Sequence, residues 1–501
     1  MILIKNAKII DGTGYSPFYG DIVIQGDKIA AIGSLKQHDA EIVVDGTGLI
    51  VTPGFIDINS SSDHFLSLFS DPSQSDFVQQ GVTTIIGGND GSSLAPLLYG
   101  TLESIRKWGS SEVVNVDWKS VDEFLSRLSQ LKLGLNFGTL VGHGTIRRSL
   151  IGEVQRELTI AELSVFKKIV IDALDQGAFG LSTGLGFVHA QQTPYREIEE
   201  LAYIVRAKNA LYTTHLRNEE EGLLASIEEV LHLAQNTGVG VHINHLRPLL
   251  GFEKDYQRAM SFLEAWDSRG MITFDAYPFD VSILPLYKFL PKWAQAGNLE
   301  TMNQYLHSPS LQERFFEGIT KQGLESIRVV QAPGNEYAIG QTLEDFARNR
   351  NMPSLKHALI ELMKTLNLQG TVFYKNINLD LLQKYFSLEQ MFVGSNVASL
   401  SNQFPQFRLE RFNHVFPRFL EIVLDRGEIP LEKAVKRLTF DPAQKVGLVR
   451  RGLIREGWNA DLVLWKLGKK IVPEHTIVNG RFAYHNRQIQ NVFAGKVLRK
   501  K

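Results

Sequence analysis

The chain has 501 residues, of which 44% are hydrophobic and 21% charged, a balance typical of folded globular proteins rather than disordered ones. Its formal net charge of −1 gives no basic excess to attract nucleic acid, and no stretch approaches about 18 uninterrupted apolar residues, so we expect no membrane span. The absence of cysteine excludes disulfides and thiolate metal ligands.

Both ends of the chain are rich in short strand patterns. The first residues, MILIKNAKIIDGTG, alternate like a strand and lack the features of a secretory signal, so we expect a cytoplasmic location. Gly26-Asp27 is a two-residue hairpin signal, and Asp461–Trp465 and Thr476–Val478 are strand patterns near the other end. Because a chain that leaves a domain and returns keeps its ends close, residues 1–52 plus 441–501 are predicted to form one β-sandwich domain.

Between residues 53 and 440, short β-branched or apolar runs alternate with helical patterns, which predicts a parallel sheet with crossover helices. Eight such runs favour a closed (β/α)8 barrel. The clearest connecting helix follows the fifth run, where one apolar stripe consists of Leu223, Ile227, Val230, Leu231 and Ala234. The eight runs are Gly54–Asn59, Thr83–Gly88, Asn136–Gly142, Phe179–Gly184, Leu211–Arg217, Val241–Arg247, Ile272–Pro278 and Met391–Asn396.

The seventh and eighth runs are separated by residues 279–390, far more than one connecting helix needs. This separation predicts an insertion at about residues 285–370. Trp293, Leu299, Met302 and Leu306 indicate helices within it, which could lie over the barrel mouth.

Polar residues at the carboxyl ends of barrel strands are the expected working groups, because the strand-to-helix loops converge there. A lone histidine is more often a hydrogen-bonded packing residue than a ligand. His215 and His245 end consecutive strands, and this pairing favours a shared site.

Several strings resemble successive blocks of the N-acyl-D-amino-acid deacylases, a branch of the metal-dependent amidohydrolases. The resemblance spans nearly the whole chain in one order and implies the (β/α)8 fold and hydrolysis of an amide bond in a small N-acyl amino acid. The strings are VTPGFID at 51–57, GVTT at 81–84, VGHGTIR at 141–147, GLSTGL at 180–185, THLRNE at 214–219, DAYP at 275–278 and GWNADLV at 457–463.

The resemblance implies a metal site with ligands at His215 and His245, while the family's bridging cysteine falls on Asp90. Two histidines and a carboxylate suit a catalytic zinc, and they also suit iron(II) or manganese. We expect one divalent metal, with zinc as the first candidate. The alternative is a metal-free hydrogen-bonded cluster of the same three residues.

The family's first metal position falls on residues that are poor ligands here. Its two histidines are replaced by Asn59 and Ser61, and its aspartate, which takes the proton from the attacking water, by Asn396. An amide cannot accept that proton productively, so a substitute base would have to be Asp63 or Asp275. Asp275 could instead bond a backbone group near its strand end.

Residues that bind the substrate carboxylate in the family match Tyr277, Arg247 and Arg411, and His143 is also assigned to substrate binding. Arginine can clamp a carboxylate through two parallel hydrogen bonds. For Arg411 a solvated charge at a helix start is the alternative. Two functions follow: a mononuclear amidohydrolase, or a catalytically silent protein that binds a small carboxylate ligand or a protein partner.

Overall fold

Strands and helices alternate through the middle of this computed structural model, which describes residues 1–34, 40–98, 114–266, 270–319, 322–400 and 410–501. The strands within those residues are β1 (Ile2–Ile9), β2 (Phe18–Gln25), β3 (Lys28–Gly33), β4 (Ile42–Asp45), β5 (Ile50–Pro53), β6 (Phe55–Asp57), β7 (Val82–Gly87), β8 (Asn136–Thr139), β9 (Val141–Gly142), β10 (Gly180–Gly184), β11 (Leu211–His215), β12 (Val241–Ile243), β13 (Ile272–Ala276), β14 (Val281–Pro285), β15 (Arg328–Gln331), β16 (Thr371–Lys375), β17 (Met391–Val393), β18 (Leu462–Trp465), β19 (Pro473–Val478), β20 (Arg481–His485) and β21 (Gln488–Ile489).

The α-helices of the described residues are α1 (Ser67–Ser70), α2 (Ser75–Val78), α3 (Val121–Ser129), α4 (His143–Ile151), α5 (Ile160–Asp175), α6 (Val188–Gln191), α7 (Tyr195–Ala207), α8 (Leu223–Thr237), α9 (Glu253–Ala265), α10 (Leu299–His307), α11 (Gln312–Gly318), α12 (Leu343–Asn349), α13 (Leu355–Thr365), α14 (Leu379–Gln383), α15 (Glu410–Asn413), α16 (Val415–Arg426), α17 (Leu431–Leu438) and α18 (Phe440–Val446). Among them, none combines the length and apolar character that crossing a membrane requires.

Strands from the two ends of the chain share one nine-stranded sheet, in the order β21-β20-β19-β18-β5-β1-β2-β3 with β4 on β1. The ends meet where β5 pairs antiparallel with β18, so that Thr52 lies opposite Val463. The predicted hairpin at Gly26-Asp27 joins β2 to β3. The two ends of the chain therefore lie side by side, while the domain boundaries at residues 52 and 441 stay a prediction.

Parallel strands make up the middle of the chain, in one sheet ordered β17-β13-β12-β11-β10-β9 and another ordered β6-β7-β8. Each of the eight predicted runs contains one of these strands, with β8 and β9 in a single run. Backbone bonds connect the two sheets on both sides. Phe179 N, just before β10, donates to Thr139 O on β8 at 2.9 Å, and Asn396 N, beyond β17, donates to Asn59 O, beyond β6, at 2.7 Å.

The helices cover the parallel strands with the apolar faces that the sequence predicts. In α8 the stripe from Leu223 to Ala234 is buried, and the helix stops at Gly238 in a left-handed conformation with φ of 69°. A fully buried leucine or isoleucine contributes roughly 1.5–3 kcal/mol relative to an exposed one. This stripe therefore fixes which face of α8 packs inward.

The segment between β13 and β17 contains helices and a small sheet. Leu299, Met302 and Leu306 are buried on α10, as expected of an insertion helix. The segment also contains an antiparallel sheet in the order β14-β16-β15, which the sequence analysis did not predict. Its strands pair across many residues, as Leu284 does with Val372, and such distant pairing leaves no local signal.

A buried carboxylate ties the first parallel strand to the last. Asp57 Oδ1, at the end of β6, accepts hydrogen bonds from Ser395 N at 3.0 Å and Asn59 N at 3.1 Å. Its other oxygen has no partner among the described residues. Burial raises the pKa of Asp57 to about 6.

A buried polar network joins the terminal sheet to the parallel strands. Asn479 Nδ2 donates to Asn136 Oδ1 at 2.7 Å and to Ala494 O at 2.7 Å. Asn479 Oδ1 accepts from Arg451 Nη2 at 3.1 Å, and Arg451 also pairs with Asp461. Every one of these polar groups is shielded from water, so each depends on the others for its hydrogen bonds.

Replacement of Asn479 should test this junction. Asn479→Ala leaves buried donors and acceptors on Asn136 and Arg451 unpaired, and we expect it to lower the free energy of unfolding by about 2–4 kcal/mol. Urea unfolding followed by tryptophan fluorescence measures the loss. The matched control is Asn486→Ala, because both asparagines have positive φ (45° and 50°) but Asn486 is exposed. Equal losses in the two variants would contradict the network's role.

The raised pKa of Asp57 predicts a pH-dependent gain from Asp57→Asn. Because the folded pKa of about 6 exceeds the unfolded value of ~3.9, the ionised carboxylate destabilises the folded chain above pH 6. The variant should therefore be more stable than the parent at pH 7.5, by at most about 3 kcal/mol, and the difference should vanish near pH 4. Thermal unfolding at both pH values measures it.

The exposed Asp425→Asn is the control for Asp57→Asn, and it should change stability by under about 0.5 kcal/mol at either pH. A variant less stable than the parent at pH 7.5 would mean that ionised Asp57 is stabilised by Arg411 instead.

Candidate metal centre

The three predicted metal ligands lie together beyond the carboxyl ends of strands from the two parallel sheets. His215 is the last residue of β11, His245 lies two residues after β12, and Asp90 follows β7. His215 Nδ1 and His245 Nε2 are 3.1 Å apart, and Asp90 Oδ1 lies 3.3 Å from His245 Nε2. All three side chains are buried, and their ligand atoms lie within 4.8 Å of one another.

These separations suit ligands of one ion. Two donors bound tetrahedrally to one zinc at ~2.0–2.1 Å lie ~3.3 Å apart. Two imidazole nitrogens and one carboxylate oxygen are a common catalytic donor set and leave a position for water or substrate. The donor chemistry and the geometry therefore both fit a single divalent metal. The hydrogen bond between the two histidines also fits the metal-free alternative.

Two residues that the sequence analysis missed hold the cluster. Glu219 Oε1 lies 3.2 Å from His245 Nδ1, and its Oε2 lies 3.6 Å from His215 Nε2, so one carboxylate faces the outer nitrogen of both rings. Carboxylates in that place orient metal-binding histidines. Asn244 Nδ2 donates to Asp90 Oδ1 at 2.8 Å. Glu219 could have been found from its position in the block THLRNE, four residues after His215.

Burial and neighbouring charges shift the pKa values of all three candidate metal ligands. Burial alone raises the pKa of Asp90, but the charge of His245 and its hydrogen bond outweigh burial and lower that pKa below its ordinary value. Burial lowers the pKa of His245, yet Asp90 and Glu219 raise it to about 10 overall. Burial lowers the pKa of His215 to about 4. A metal would displace the proton of His245, so binding should release protons.

The residues of the family's first metal position also lie together. Asn396 N donates to Asn59 O, and Ser61 Oγ donates to Asn396 Oδ1 at 3.3 Å. Asn396 has a φ of 48°, a left-handed conformation that asparagine tolerates. Together the three side chains offer only amide and hydroxyl groups, which are weak ligands for zinc.

The two candidate bases differ in how their oxygens are used. Asp275 accepts from Asn59 Nδ2 at 3.1 Å, from His242 Nε2 at 2.9 Å and from His245 N at 3.1 Å, so both oxygens are engaged. Asp275 thus accepts a hydrogen bond from a backbone group, His245 N, which is the alternative role expected from the sequence. Asp63 Oδ2 accepts from Gly88 N at 2.6 Å, and Oδ1 has no partner among the described residues.

Two of the three carboxylate-binding candidates, both arginines, lie near the aromatic ring of the third, Tyr277. The Arg411 guanidinium lies 3.8 Å from the centre of the Tyr277 ring, and that of Arg247 lies 6.0 Å away. Burial raises the pKa of Tyr277, but the two arginines together hold it below its ordinary value. Arg247 Nε and Arg411 Nη2 are buried without hydrogen-bond partners among the described residues. Arg411 is 3% exposed, which overturns the alternative of a solvated charge.

Arg247 also contacts the cluster of Asp90, His215 and His245. Its Nη1 donates to His245 O at 2.9 Å and lies 3.5 Å from Glu219 Oε1. His143 is not brought to either group. Its Nε2 lies 2.8 Å from Glu197 Oε1 on α7, and its ring packs on Phe166 of α5. The His143 ring thus lies against helices α5 and α7, and its assignment to substrate binding stays a prediction.

Lys288, in the segment after β14, is a further side chain near the candidate metal centre that the sequence analysis missed. Phe187 stacks on His215 with 4.8 Å between ring centres, and Lys288 Nζ lies 4.9 Å from the centre of the Phe187 ring. Burial lowers the pKa of Lys288, while nearby Glu219 and Glu220 act to raise it. The segment therefore supplies a cation beside the metal cluster.

No family model matches the chain. D-aminoacylase from Alcaligenes xylosoxydans xylosoxydans is 28% identical over 519 residues, which cover 99% of this chain and 97% of that protein. A crystal structure of D-aminoacylase, which defines a novel subset of amidohydrolases, superposes with a TM-score of 0.81 at 24% identity and covers 100% of this chain and 99% of that one. This likeness shows the fold.

A second structure is that of N-acyl-D-glutamate deacylase from Bordetella bronchiseptica, complexed with zinc and a phosphonate inhibitor. Its TM-score is 0.80 at 26% identity, over 100% of this chain and 99% of that chain. The ordered sequence blocks, the α/β fold and the sequence identity agree with one another. Over nearly its whole length, the chain is thus a homologue of the N-acyl-D-amino-acid deacylases of the amidohydrolase type, as its sequence blocks indicate.

Proposed function

We propose that the chain is a metal-dependent hydrolase that cleaves the amide bond of a small N-acyl amino acid at a mononuclear site. One observation carries the proposal. Arg247 contacts the candidate metal ligands through His245 O and Glu219, and its guanidinium group also lies near the Tyr277 ring. A carboxylate bound there would hold the neighbouring amide beside the metal cluster. Named relatives that act on N-acyl amino acids support this substrate class.

The proposal includes a closed (β/α)8 barrel beneath the site and a β-sandwich made by the two chain ends. The backbone bonds of Phe179 to Thr139 and of Asn396 to Asn59 support the closure, because they continue the pairing from one parallel sheet to the other. Active sites of such barrels lie at the carboxyl ends of the strands, where the cluster lies. The segment after β14, which brings Lys288 to the cluster, would cover the mouth.

Substrate orientation would come from the chain's own cations. Arg247 Nε and Arg411 Nη2 each retain a buried, unpaired N–H group that a carboxylate can accept from. Both guanidinium groups lie near the Tyr277 ring, at 6.0 Å and 3.8 Å from its centre. A divalent metal, when bound, supplies a Lewis acid that polarises the scissile carbonyl and lowers the pKa of water.

A single metal is favoured by the residues at the first metal position, since Asn59, Ser61 and Asn396 supply neither imidazole nor carboxylate. For D-aminoacylase, a binuclear metal centre with one-metal activation and second-metal attenuation has been described. That description supports activity with one metal in this chain. Zinc is the proposed ion, and iron(II) and manganese suit the same donors.

Proton transfer is the weak step of the proposed reaction, because Asn396 occupies the place of the family's base. Asp275 has both oxygens engaged, which favours a holding role. Asp63 has one free oxygen, and burial raises its pKa. A carboxyl group with a raised pKa is better suited to accept a proton near neutral pH, so Asp63 is the proposed substitute.

The proposed function is tested by incubating zinc-reconstituted protein with N-acetyl amino acids of both enantiomers and measuring release of the free amine. Time-dependent release that a chelator abolishes supports hydrolysis. Binding of the amino acids without release would favour the catalytically silent alternative, a carboxylate-binding or partner-binding protein, for which the comparisons offer no support.

The metal assignment predicts one divalent ion per chain. His215→Ala should lower occupancy at least tenfold, because it removes one of three ligands, whereas the exposed His232→Ala should retain full occupancy. Elemental analysis after dialysis measures occupancy, and X-ray absorption should give donor distances near ~2.0–2.2 Å. A zinc-treated parent protein that retains no metal would establish the metal-free cluster instead.

Restoring the lost carboxylate should raise activity. In Asn396→Asp the new side chain can accept a proton beside Ser61, and we expect kcat to rise by up to ~100-fold with little change in KM. The rise in kcat from Asn396→Asp should exceed the rise from Asn59→His alone or from Ser61→His alone. Asn351→Asp is the control, because Asn351 is exposed and has a similar φ of 49°. An unchanged rate in metal-loaded Asn396→Asp would mean that another base already acts.

A further inference from the structure

A large basic cavity lies at the end of the parallel strands opposite the metal centre. It measures about 720 Å³ and is bounded by α17, α18 and the residues that precede β12, β13 and β17. Volumes of roughly 300–1,000 Å³ are typical of sites for small molecules. Four cationic and two acidic side chains line it: Lys433, Lys436, Arg437, Lys445, Glu389 and Asp441.

Only one of the four cations is neutralised by a carboxylate within this lining. Lys436 Nζ lies 2.5 Å from Asp441 Oδ1. Arg437 donates instead to Phe386 O and Ser387 O, and Lys445 donates to Gly270 O and Met271 O. Lys433 has no partner among the described residues.

The arrangement leaves uncompensated positive charge in a partly desolvated space. Arg437 is 5% exposed, and its carbonyl partners carry only partial charges. Glu389 and Asp441 act on Arg437 only through their charges, without an ion-pair contact among the described residues. A buried cation without a direct counter-ion costs free energy, and an anion that enters the cavity would reduce that cost. Burial lowers the pKa of Lys445 to about 7, which reflects the same lack of a counter-ion.

We propose that this basic cavity binds a small organic oxyanion with two or more negative charges, at a site separate from the metal centre. The charge requirement follows from the lining, because its four cationic side chains outnumber its two acidic ones by two when Lys445 is protonated, a state that a bound anion favours. Arg437 and Lys445 still have N–H groups beyond those used on carbonyls, and Lys433 can reach the ligand from the open side. Phosphate esters and polycarboxylates share this chemistry.

The test is isothermal titration of the full-length protein with pyrophosphate and, separately, with citrate, at constant ionic strength. We expect saturable binding of at least one probe with a dissociation constant below about 1 mM. Binding of pyrophosphate alone indicates a phosphate ester, binding of citrate alone a polycarboxylate, and binding of both a general oxyanion site.

Variants locate the binding. Lys433→Gln and Lys445→Gln should each weaken it at least about fivefold, while Lys254→Gln, an exposed lysine on α9, should not. Arg247→Gln, in the carboxylate pocket, should also leave it unchanged. If Lys445→Gln fails to fold, Lys433→Gln decides. Absence of saturable binding of both probes, or equal binding by parent and Lys433→Gln, would overturn the proposal.

Discussion

The carboxylate of Asp275 holds the carboxyl ends of three parallel strands in place, and the candidate site depends on it. It accepts from Asn59 beyond β6, from His242 on β12 and from the backbone of His245. The approach is so close that a side chain at Gly394 would lie 2.5 Å from Asp275 Oδ1. Because His245 takes a left-handed backbone conformation there, the bond to Asp275 also offsets local strain.

The site combines groups that would each be unfavourable if buried alone. Glu219 neutralises part of the charge of His245 and Arg247, and it turns both histidine rings toward Asp90. Arg411 stacks on Tyr277 and donates to Ser395 O at 2.7 Å. Removal of any one member would leave a partner unpaired in a region of low dielectric.

Asn59, Ser61 and Asn396, at the positions of the family's first metal site, offer different chemical groups but still hold the strand ends together. Asn396 is hydrogen-bonded to Asn59 and to Ser61, and Asn59 also donates to Asp275, so the strand ends are held together. The changes remove the carboxylate that would receive a proton. A general base contributes ~100- to 10,000-fold to a rate, so in the proposed reaction its loss would slow turnover without removing the groups proposed to hold metal and substrate.

Strand periodicity in the sequence predicted each parallel run, and the stripe on α8 predicted its buried face, because those patterns depend on local spacing. His215 and His245 could be paired in advance because they end neighbouring parallel strands, and Asp90 was added by the resemblance to the deacylases. Tertiary structure alone decided the rest. The sheet β14-β16-β15, the outward turn of His143 toward Glu197, the burial of Arg411 and the gathering of cations from α17 and α18 all arise from contacts between distant segments, which no local pattern encodes.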